Sequence, residues 1–412
     1  MARLYLGQNV FERALTRLQY CFEQGDVVVS FSGGKDSAVC LELAVMVAKK
    51  MGRLPVTTIM NDEEIMYPGT YEYAERVANR TSEVDFHWCY MNNPNTNPFN
   101  REQPYWWAFD PDIPEDKWVR KPPPYAEQIT RTKDLYDLCT LDQLPDLPTR
   151  DGVDMFDVIG IRVQESPKRA MSLASMQGDF ITSKYNSDDK RTREVRNTWP
   201  IYDWRDGDVW KSIRDNGWDY NEAYDVMFKM GVPAHGMRIA PVTLNGAAIQ
   251  QLSIAMRAWP HWFDRVAERI PGIRTAAKFG LQTCTPQRRL NETWEECFQR
   301  TCIEEAPLWV ADRAKRVRAN VLRRHAKHST TPFPDVASCM PCGLLGSWKD
   351  LTHKAWDGDP FNSYLGLDYV EPSTFKPTGG VFKAEKPILV AFPGTYWWYT
   401  PENRAKMTEA AV

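Results

Sequence analysis

The stretch Asp26-Val27-Val28-Val29-Ser30-Phe31-Ser32-Gly33-Gly34-Lys35-Asp36-Ser37 decides how this chain is read. Its apolar first half predicts a short buried strand. Ser32 to Ser37 then make a tight glycine turn, and Ala38 to Lys50 carries Val39, Leu41, Leu43 and Val47 at helical spacing, with Gly52 as a stop. A strand, a glycine turn and a helix together form a phosphate site. The glycines let backbone N–H groups approach an anion, and the new helix turns its positive end toward it. The spacing is not that of the Walker loop, which needs four residues between its first glycine and Gly-Lys-Ser/Thr. A bare Gly-Gly pair would suggest an ordinary βα turn; this hexapeptide between strand and helix points to a nucleotide.

The bulk properties narrow the class. The 412 residues are 43% hydrophobic and carry a formal charge of −3, so a sizeable core is available and a coat for bulk nucleic-acid binding is not. No apolar run approaches the ~18 residues needed to span a membrane, and Met1 to Gly7 lacks the apolar segment of a signal peptide. A cytoplasmic location is expected. Nine cysteines in such a chain point to thiols or metal, not disulfides.

Outward from the opening unit, residues 8 to 24 predict an amphipathic docking helix. Pro55 to Met60 reads as a second strand ending at Asn61-Asp62-Glu63-Glu64, and Thr70 as the cap of the helix after it. Ligands of doubly wound sheets sit at strand carboxyl ends, which makes Asp62 the first candidate for a ribose hydroxyl or a metal ion, with Glu63 or Glu64 next. Val84 to Tyr90 is a third strand. Residues 91–150 are rich in proline and tryptophan and read as an insert, either a lid or a packed flap. Met155 to Ile161 is a fourth strand. It runs into Arg162, Glu165, Ser166 and Arg169, a second anion-binding turn. A mobile polar loop is expected over 176–198, and Trp199 to Trp204 is read as the fifth strand. Asp206 is read as a helix cap, with more helix from Asp219 to Ile239. The last third reads as helical to about residue 328, with an edge strand at 387–392. Its basic run over 313–327 is either a solvated face or a nucleic-acid contact.

Cys21, Cys40, Cys89 and Cys139 read as small core residues. Cys339-Met-Pro-Cys342-Gly is a Cys-x2-Cys knuckle, and Cys297 with Cys302 supplies a second pair. Together they suit a four-cysteine metal site, with Cys284 in reserve and His325 or His328 able to replace a cysteine. Zinc comes first, a 4Fe-4S cluster is the rival, and a redox dithiol at Cys339/Cys342 is third.

With these residues in view, the chain resembles the phosphoadenosine phosphosulfate (PAPS) reductase family of the PP-loop, or adenine nucleotide alpha hydrolase, superfamily. The blocks that carry the likeness are Ser32 to Ser37, Gly160 to Arg169 (similar to Gly-x-Arg-x-x-Glu-Ser-x-x-Arg) and Pro200 to Trp210 (similar to Pro, three residues, Trp-x-x-x-Asp-Val-Trp). Leu4 to Val10, Trp118 to Pro123 and Gly231 to Ala240 are similar to the larger, prophage-associated IbrA-like members. That likeness implies a co-activator of gene expression working beside a ParB/sulfiredoxin-like protein partner. One departure stands out. The family's reductases attack sulfur with a cysteine of a C-terminal Glu-Cys-Gly, and residues 401–412 hold no cysteine.

The expected fold is α/β: a doubly wound, mostly parallel five-stranded sheet over residues 1–245, then a helical, metal-stapled extension over 246–412. The resemblance implies an adenine nucleotide held by Ser32, Gly33, Gly34, Ser37, Asp62, Gly160, Arg162, Glu165, Ser166 and Arg169. It implies catalytic roles for Lys35 and Asp36, and magnesium on Asp36 or Asp62. The expected chemistry is ATP cleavage between the α and β phosphates. The alternatives are PAPS reduction or a nucleotide-gated regulatory protein.

Overall fold

The computed structural model describes residues 7–129, 153–165, 169–170, 180–185, 195–239, 246–360, 362–368, 370, 375, 377–378 and 381–382. The chain divides into two compact units, one of residues 1–91 with 120–241, the other of 92–119 with 242–412.

The first unit begins with α1 (Val10–Gln24), capped by Asn9, whose side chain accepts from the Glu12 N–H at 2.9 Å. Then follow β1 (Asp26–Ser30), α2 (Lys35–Met51), β2 (Val56–Asp62), α3 (Thr70–Ala78) and β3 (Val84–Tyr90). In the second unit β4 (Asn93–Thr96) and β5 (Tyr105–Ala108) pair as an antiparallel hairpin. The first unit resumes with β6 (Glu127–Gln128), β7 (Met155–Ile159), β8 (Ile181–Tyr185), β9 (Val195–Thr198), α4 (Asp206–Asn216) and α5 (Ala223–Lys229).

Its sheet runs β6-β3-β2-β1-β7-β9-β8, and all neighbours are parallel except the β8/β9 pair. The expected doubly wound sheet is present, with short β6 and antiparallel β8 added at its edges. The strand nearest the expected fifth one is Val195–Thr198; residues 199–204 form turns. Pro200 supplies no N–H to a ladder, which explains why pairing stops before it.

The order matters more than the count. The chain winds from β1 to β2 to β3 on one side, then returns to lay β7 on the other side of β1. The carboxyl ends of β1 and β7 therefore flank the switch point, the place where ligands bind in open α/β sheets. The valines of β1 show why this strand is central. Val27 and Val29 join the cluster formed by α1, α2 and α4, while Val28 packs on the opposite face with Ile59, Cys89 and Met155. A strand buried on both faces reads as a continuous apolar run, because successive side chains alternate. Each buried valine contributes roughly 1.5–3 kcal/mol over its exposed state.

Two devices fix α1 and α2 at the sheet. Arg17 is buried and donates to both Asp203 carboxylate oxygens at 2.9 and 3.0 Å and to the Pro200 carbonyl at 2.8 Å. Gly52 ends α2 in the left-handed region, at φ 65°.

The second unit continues with α6 (Gly246–Ala258), α7 (Pro260–Arg269), α8 (Ile273–Phe279), α9 (Trp294–Phe298), α10 (Leu308–Ala326) and α11 (Trp348–Ala355). A π-helical segment, Gln299–Glu304, follows α9. Phe298, Cys302, Val317, Val321, Phe333 and Trp348 belong to its main core. The expected strand at 387–392, the tail 401–412 and Cys139 lie outside the described residues. Among the described residues, no helix is long and apolar enough to cross a membrane.

Candidate functional site

The turn after β1 is built as its glycines demand. Gly33 has φ +71°, and a Cβ there would stand 2.6 Å from Thr70 Cγ2. Gly34 caps α2 in extended backbone with no side chain of its own. The serines brace the turn: Ser37 Oγ donates to the Gly34 carbonyl at 2.9 Å and accepts the Ser32 N–H at 3.1 Å. Ser32 Oγ and Ser37 Oγ lie 3.1 Å apart. Asn221, itself buried, donates to the Gly33 carbonyl at 3.0 Å and to Thr70 Oγ1 at 2.9 Å. The first N–H of α2, on Lys35, is accepted by the Tyr224 hydroxyl at 2.9 Å.

The loop after β7 meets this turn through Gly160. A Cβ there would fall 2.6 Å from both the Asp36 carbonyl carbon and the Ser37 nitrogen, so the backbones touch and only glycine fits. That approach places Arg162 beside Lys35 and Asp36. Arg162 Nε donates to Asp36 Oδ1 at 2.6 Å, and its Nη2 reaches Asp206 Oδ1 at 3.3 Å and Glu165 Oε1 at 3.4 Å. Lys35 Nζ lies 3.3 Å from the same Asp206 oxygen, 3.7 Å from Asp36 Oδ2, and donates to the Met237 carbonyl at 3.3 Å. Both cations are almost wholly buried, at 4% and 3% exposure. Glu165 also pairs with Arg169, whose guanidinium is held below its usual pKa by burial and by the charge of Arg238.

The structure thus gathers Ser32, Gly33, Gly34, Lys35, Asp36, Ser37, Gly160, Arg162, Glu165 and Arg169 at the switch point. Ser166 lies outside the described residues. Asp62 is differently engaged. It accepts from Trp88 Nε1 at 2.9 Å, the Glu64 N–H at 2.9 Å and the Tyr71 hydroxyl at 3.2 Å. Burial pushes its carboxyl up to about 6 in spite of those donors. Its described partners make it an internal tie between β2, β3 and α3.

Sequence reading missed Asp206, Tyr224 and Asn221. Asp206 was visible only as a helix cap, yet Asp208 performs that task, accepting the Arg205 N–H at 2.6 Å, and leaves Asp206 free to face the cations. Nothing local in the sequence marks Tyr224 or Asn221. Both act across sequence separations of 151 residues or more.

In the second unit, His325, Cys339 and Cys342 come together, their ligand atoms all within 4.8 Å of one another. Cys297 and Cys302 do not join that group. Cys297 Sγ faces the Gln287 carbonyl at 3.7 Å, and Cys302 Sγ the Thr352 carbonyl at 3.7 Å. The π-helical segment fixes Cys302 on the core side, where burial pushes its thiol up to about 12. The basic run is also partly internal. Arg313 is fully buried and donates to the carbonyls of Gly358, Asp359 and Asp368 at 2.6–3.0 Å.

Residues 26–230 match the family model for the phosphoadenosine phosphosulfate reductase domain. The chain is 28% identical over 253 residues to the uncharacterized protein YbdN of Escherichia coli strain K12, covering 58% of this chain and 59% of that protein. It therefore spans about 59% of the length of this curated relative. Among solved structures it is similar to a Candida glabrata FMN adenylyltransferase in complex with FMN and the ATP analog AMPCPP. That similarity is 14% identity over 54% of this chain and 64% of the other, with a TM-score of 0.31. It is also similar to a PAPS reductase from Candida auris in a phosphate complex, 13% identical over 55% of this chain and 94% of the other, with a TM-score of 0.27.

Proposed function

We propose that the domain carried by residues 26–230, a PP-loop domain of the adenine nucleotide alpha hydrolase superfamily, binds ATP at the β1/β7 switch point and cleaves it between the α and β phosphates. One observation carries this reading: Lys35 and Arg162 converge on a single oxygen, Asp206 Oδ1, at 3.3 Å each. Two buried cations held that close by a carboxylate form a site for a denser anion. A phosphate offers several oxygens in a geometry that suits the guanidinium fork, and it can take over the contacts Asp206 and Asp36 now make.

In this reading the Gly33–Gly34 turn and the start of α2 hold the phosphates, and Lys35 and Arg162 neutralise the charge that grows on the departing pyrophosphate. A water oxygen bonds to the α phosphorus, losing its proton to solvent, as the bond from that phosphorus to the bridging oxygen breaks. The electron pair and the negative charge leave with pyrophosphate. The protein contributes mainly position and preorganised charge. Asp36 and Asp206, both hard oxygen donors on the same cations, fit a magnesium ion, which would supply further charge neutralisation on the phosphates when bound.

The cysteines favour this over sulfonucleotide reduction by a thiolate. Cys21, Cys40 and Cys89 are buried, and burial pushes the Cys21 and Cys89 thiols up to about 12 and Cys40 well above its ordinary value. None of these described thiols of the first unit is a ready nucleophile. Incubating the protein with ATP and, separately, with PAPS tests the reading. AMP and pyrophosphate from ATP are expected. Sulfite and adenosine bisphosphate from PAPS would replace it with the reductase, and tight nucleotide binding without turnover would favour the nucleotide-gated regulator.

A further inference from the structure

We propose that His325, Cys339 and Cys342 hold a zinc ion that staples the end of α10 to the loop before α11. This goes beyond the nucleotide site and does not depend on it.

The backbone comes first. Cys339 to Gly346 is a closed loop: the Cys342 N–H donates to the Cys339 carbonyl at 3.1 Å, and the Cys339 N–H to the Gly346 carbonyl at 2.8 Å. Gly343 follows the second cysteine with φ +65°, and a Cβ on Gly346 would lie 2.9 Å from the Cys339 carbonyl oxygen. Glycine at both places lets the loop fold tightly enough for both sulfurs to face one point. A Cys-x2-Cys spacing then suffices for two ligands on one ion.

The histidine is prepared for the third. His325 Nε2 lies 3.0 Å from the Thr331 carbonyl. A carbonyl oxygen only accepts, so Nε2 carries the proton and Nδ1 is left with its lone pair. That atom faces Cys342 Sγ at 3.7 Å. Zinc–sulfur and zinc–nitrogen bonds of about 2.3 and 2.05 Å in a tetrahedron put the two ligand atoms about 3.6 Å apart. The observed pair already has that spacing. A backbone carbonyl on the far nitrogen is the usual means of fixing a metal-bound imidazole. Phe333 packs edge-on against the His325 ring at 5.3 Å, and Arg324 donates to the Cys342 carbonyl at 2.6 Å, so ring and loop are held from behind.

The donor set selects the metal. Two thiolates and one imidazole suit zinc, whereas a four-iron cluster takes four cysteines. Three ligands among the described residues leave one tetrahedral position for water or another donor.

The experiment uses the full-length chain. Metal analysis of the purified protein is expected to give one zinc per chain. Replacement by cobalt should give the visible bands of a tetrahedral site and thiolate-to-cobalt charge transfer in the near ultraviolet. Cys339→Ser and Cys342→Ser should each abolish the cobalt spectrum. His325→Ala should weaken cobalt binding by at least about tenfold, a loss that even outer-shell changes reach. Cys297→Ser and Cys302→Ser should retain full metal. Loss of metal in either of those two would overturn the three-ligand assignment in favour of four cysteines. A brown protein with acid-labile sulfide would overturn zinc. Wild-type protein without metal and without a cobalt spectrum would overturn the site altogether. That wild-type measurement decides even where a variant fails to fold.

Discussion

Arg162 Nε donates to Asp36 Oδ1 at 2.6 Å and so joins the loop after β7 to the first turn of α2. The pair brings the two turns proposed to bind phosphate into one cluster. It also means that, without a nucleotide, the arginine is held by an internal carboxylate. Asp36→Asn is therefore expected to separate binding from turnover. With the competing charge removed, Arg162 is freer to meet phosphate, and affinity for magnesium-free ATP should rise by about tenfold, or roughly 1.5 kcal/mol, the low end of what a charged hydrogen bond contributes. Turnover should fall, because Asp36 is one of the two carboxylates proposed to hold magnesium. Calorimetric titration and a pyrophosphate assay on the same preparation check both. Parallel losses in binding and turnover would count against the competition.

Arg162 itself should not tolerate replacement. Arg162→Ala leaves Asp36 and Asp206 sharing Lys35 and Glu165 with Arg169, and removing one member of a buried ion network costs about 3–5 kcal/mol. Arg162→Lys keeps the charge but not the planar fork, and should recover stability better than nucleotide affinity. Urea unfolding with ATP titration reads the two separately. Full recovery of affinity in the lysine variant would argue against a fork-specific contact.

How much of this was legible beforehand follows from where the information lies. The strand, turn and helix at Asp26–Ser37 announced themselves because burial on both faces demands consecutive valines and the turn demands glycine. The switch point was also within reach, since Gly160 and Arg162 follow the next central strand. Asp62 shows the limit of such reasoning. An acidic residue at a strand end fits a ligand site and an internal tie equally well, and only the positions of Trp88, Tyr71 and the Glu64 N–H distinguish them. Tyr224 and Asn221 were beyond reach because their partners are set by tertiary folding. The knuckle at Cys339/Cys342 was local and legible. Which side chain joins its two sulfurs was a matter of what the end of α10 brings round.

Gly160→Ala provides a sharp steric test. The added methyl meets the Asp36 carbonyl carbon and the Ser37 nitrogen at 2.6 Å, and both are backbone atoms that cannot step aside. Overpacking of this kind costs typically about 1–3 kcal/mol. Here it should also push Arg162 off Asp36, so nucleotide binding should fall more than stability does. Gly207→Ala, where a Cβ meets nothing within 4 Å, is the control; it should leave binding unchanged and, lying in α4, raise stability by up to about 1 kcal/mol. Equal behaviour of the two variants in thermal unfolding and ATP titration would contradict the close approach.

Asp157 carries the pH dependence that can be assigned with a sign. It lies on β7, accepts from Ser30 Oγ at 2.7 Å, and burial pushes its carboxyl from 3.8 up to about 6. Between those values the unfolded chain has lost its proton while the folded chain keeps it. Stability therefore falls as pH rises from about 4 to about 6 and is level above, by up to about 3 kcal/mol for a shift of this size. Asp62, raised to about 6 by its own burial, adds a fall of the same sign in the same window. Asp157→Asn keeps an oxygen for Ser30 and removes the titration. Urea midpoints measured from pH 4 to pH 7 should then decline less steeply in the variant than in the wild type. The residual decline is assigned to Asp62, to Glu63, which burial and the charge of Asp62 push up to about 7, and to Asp357, which burial also raises. A variant whose decline matches the wild type would show that Asp157 ionises in the folded protein as it does in the unfolded chain.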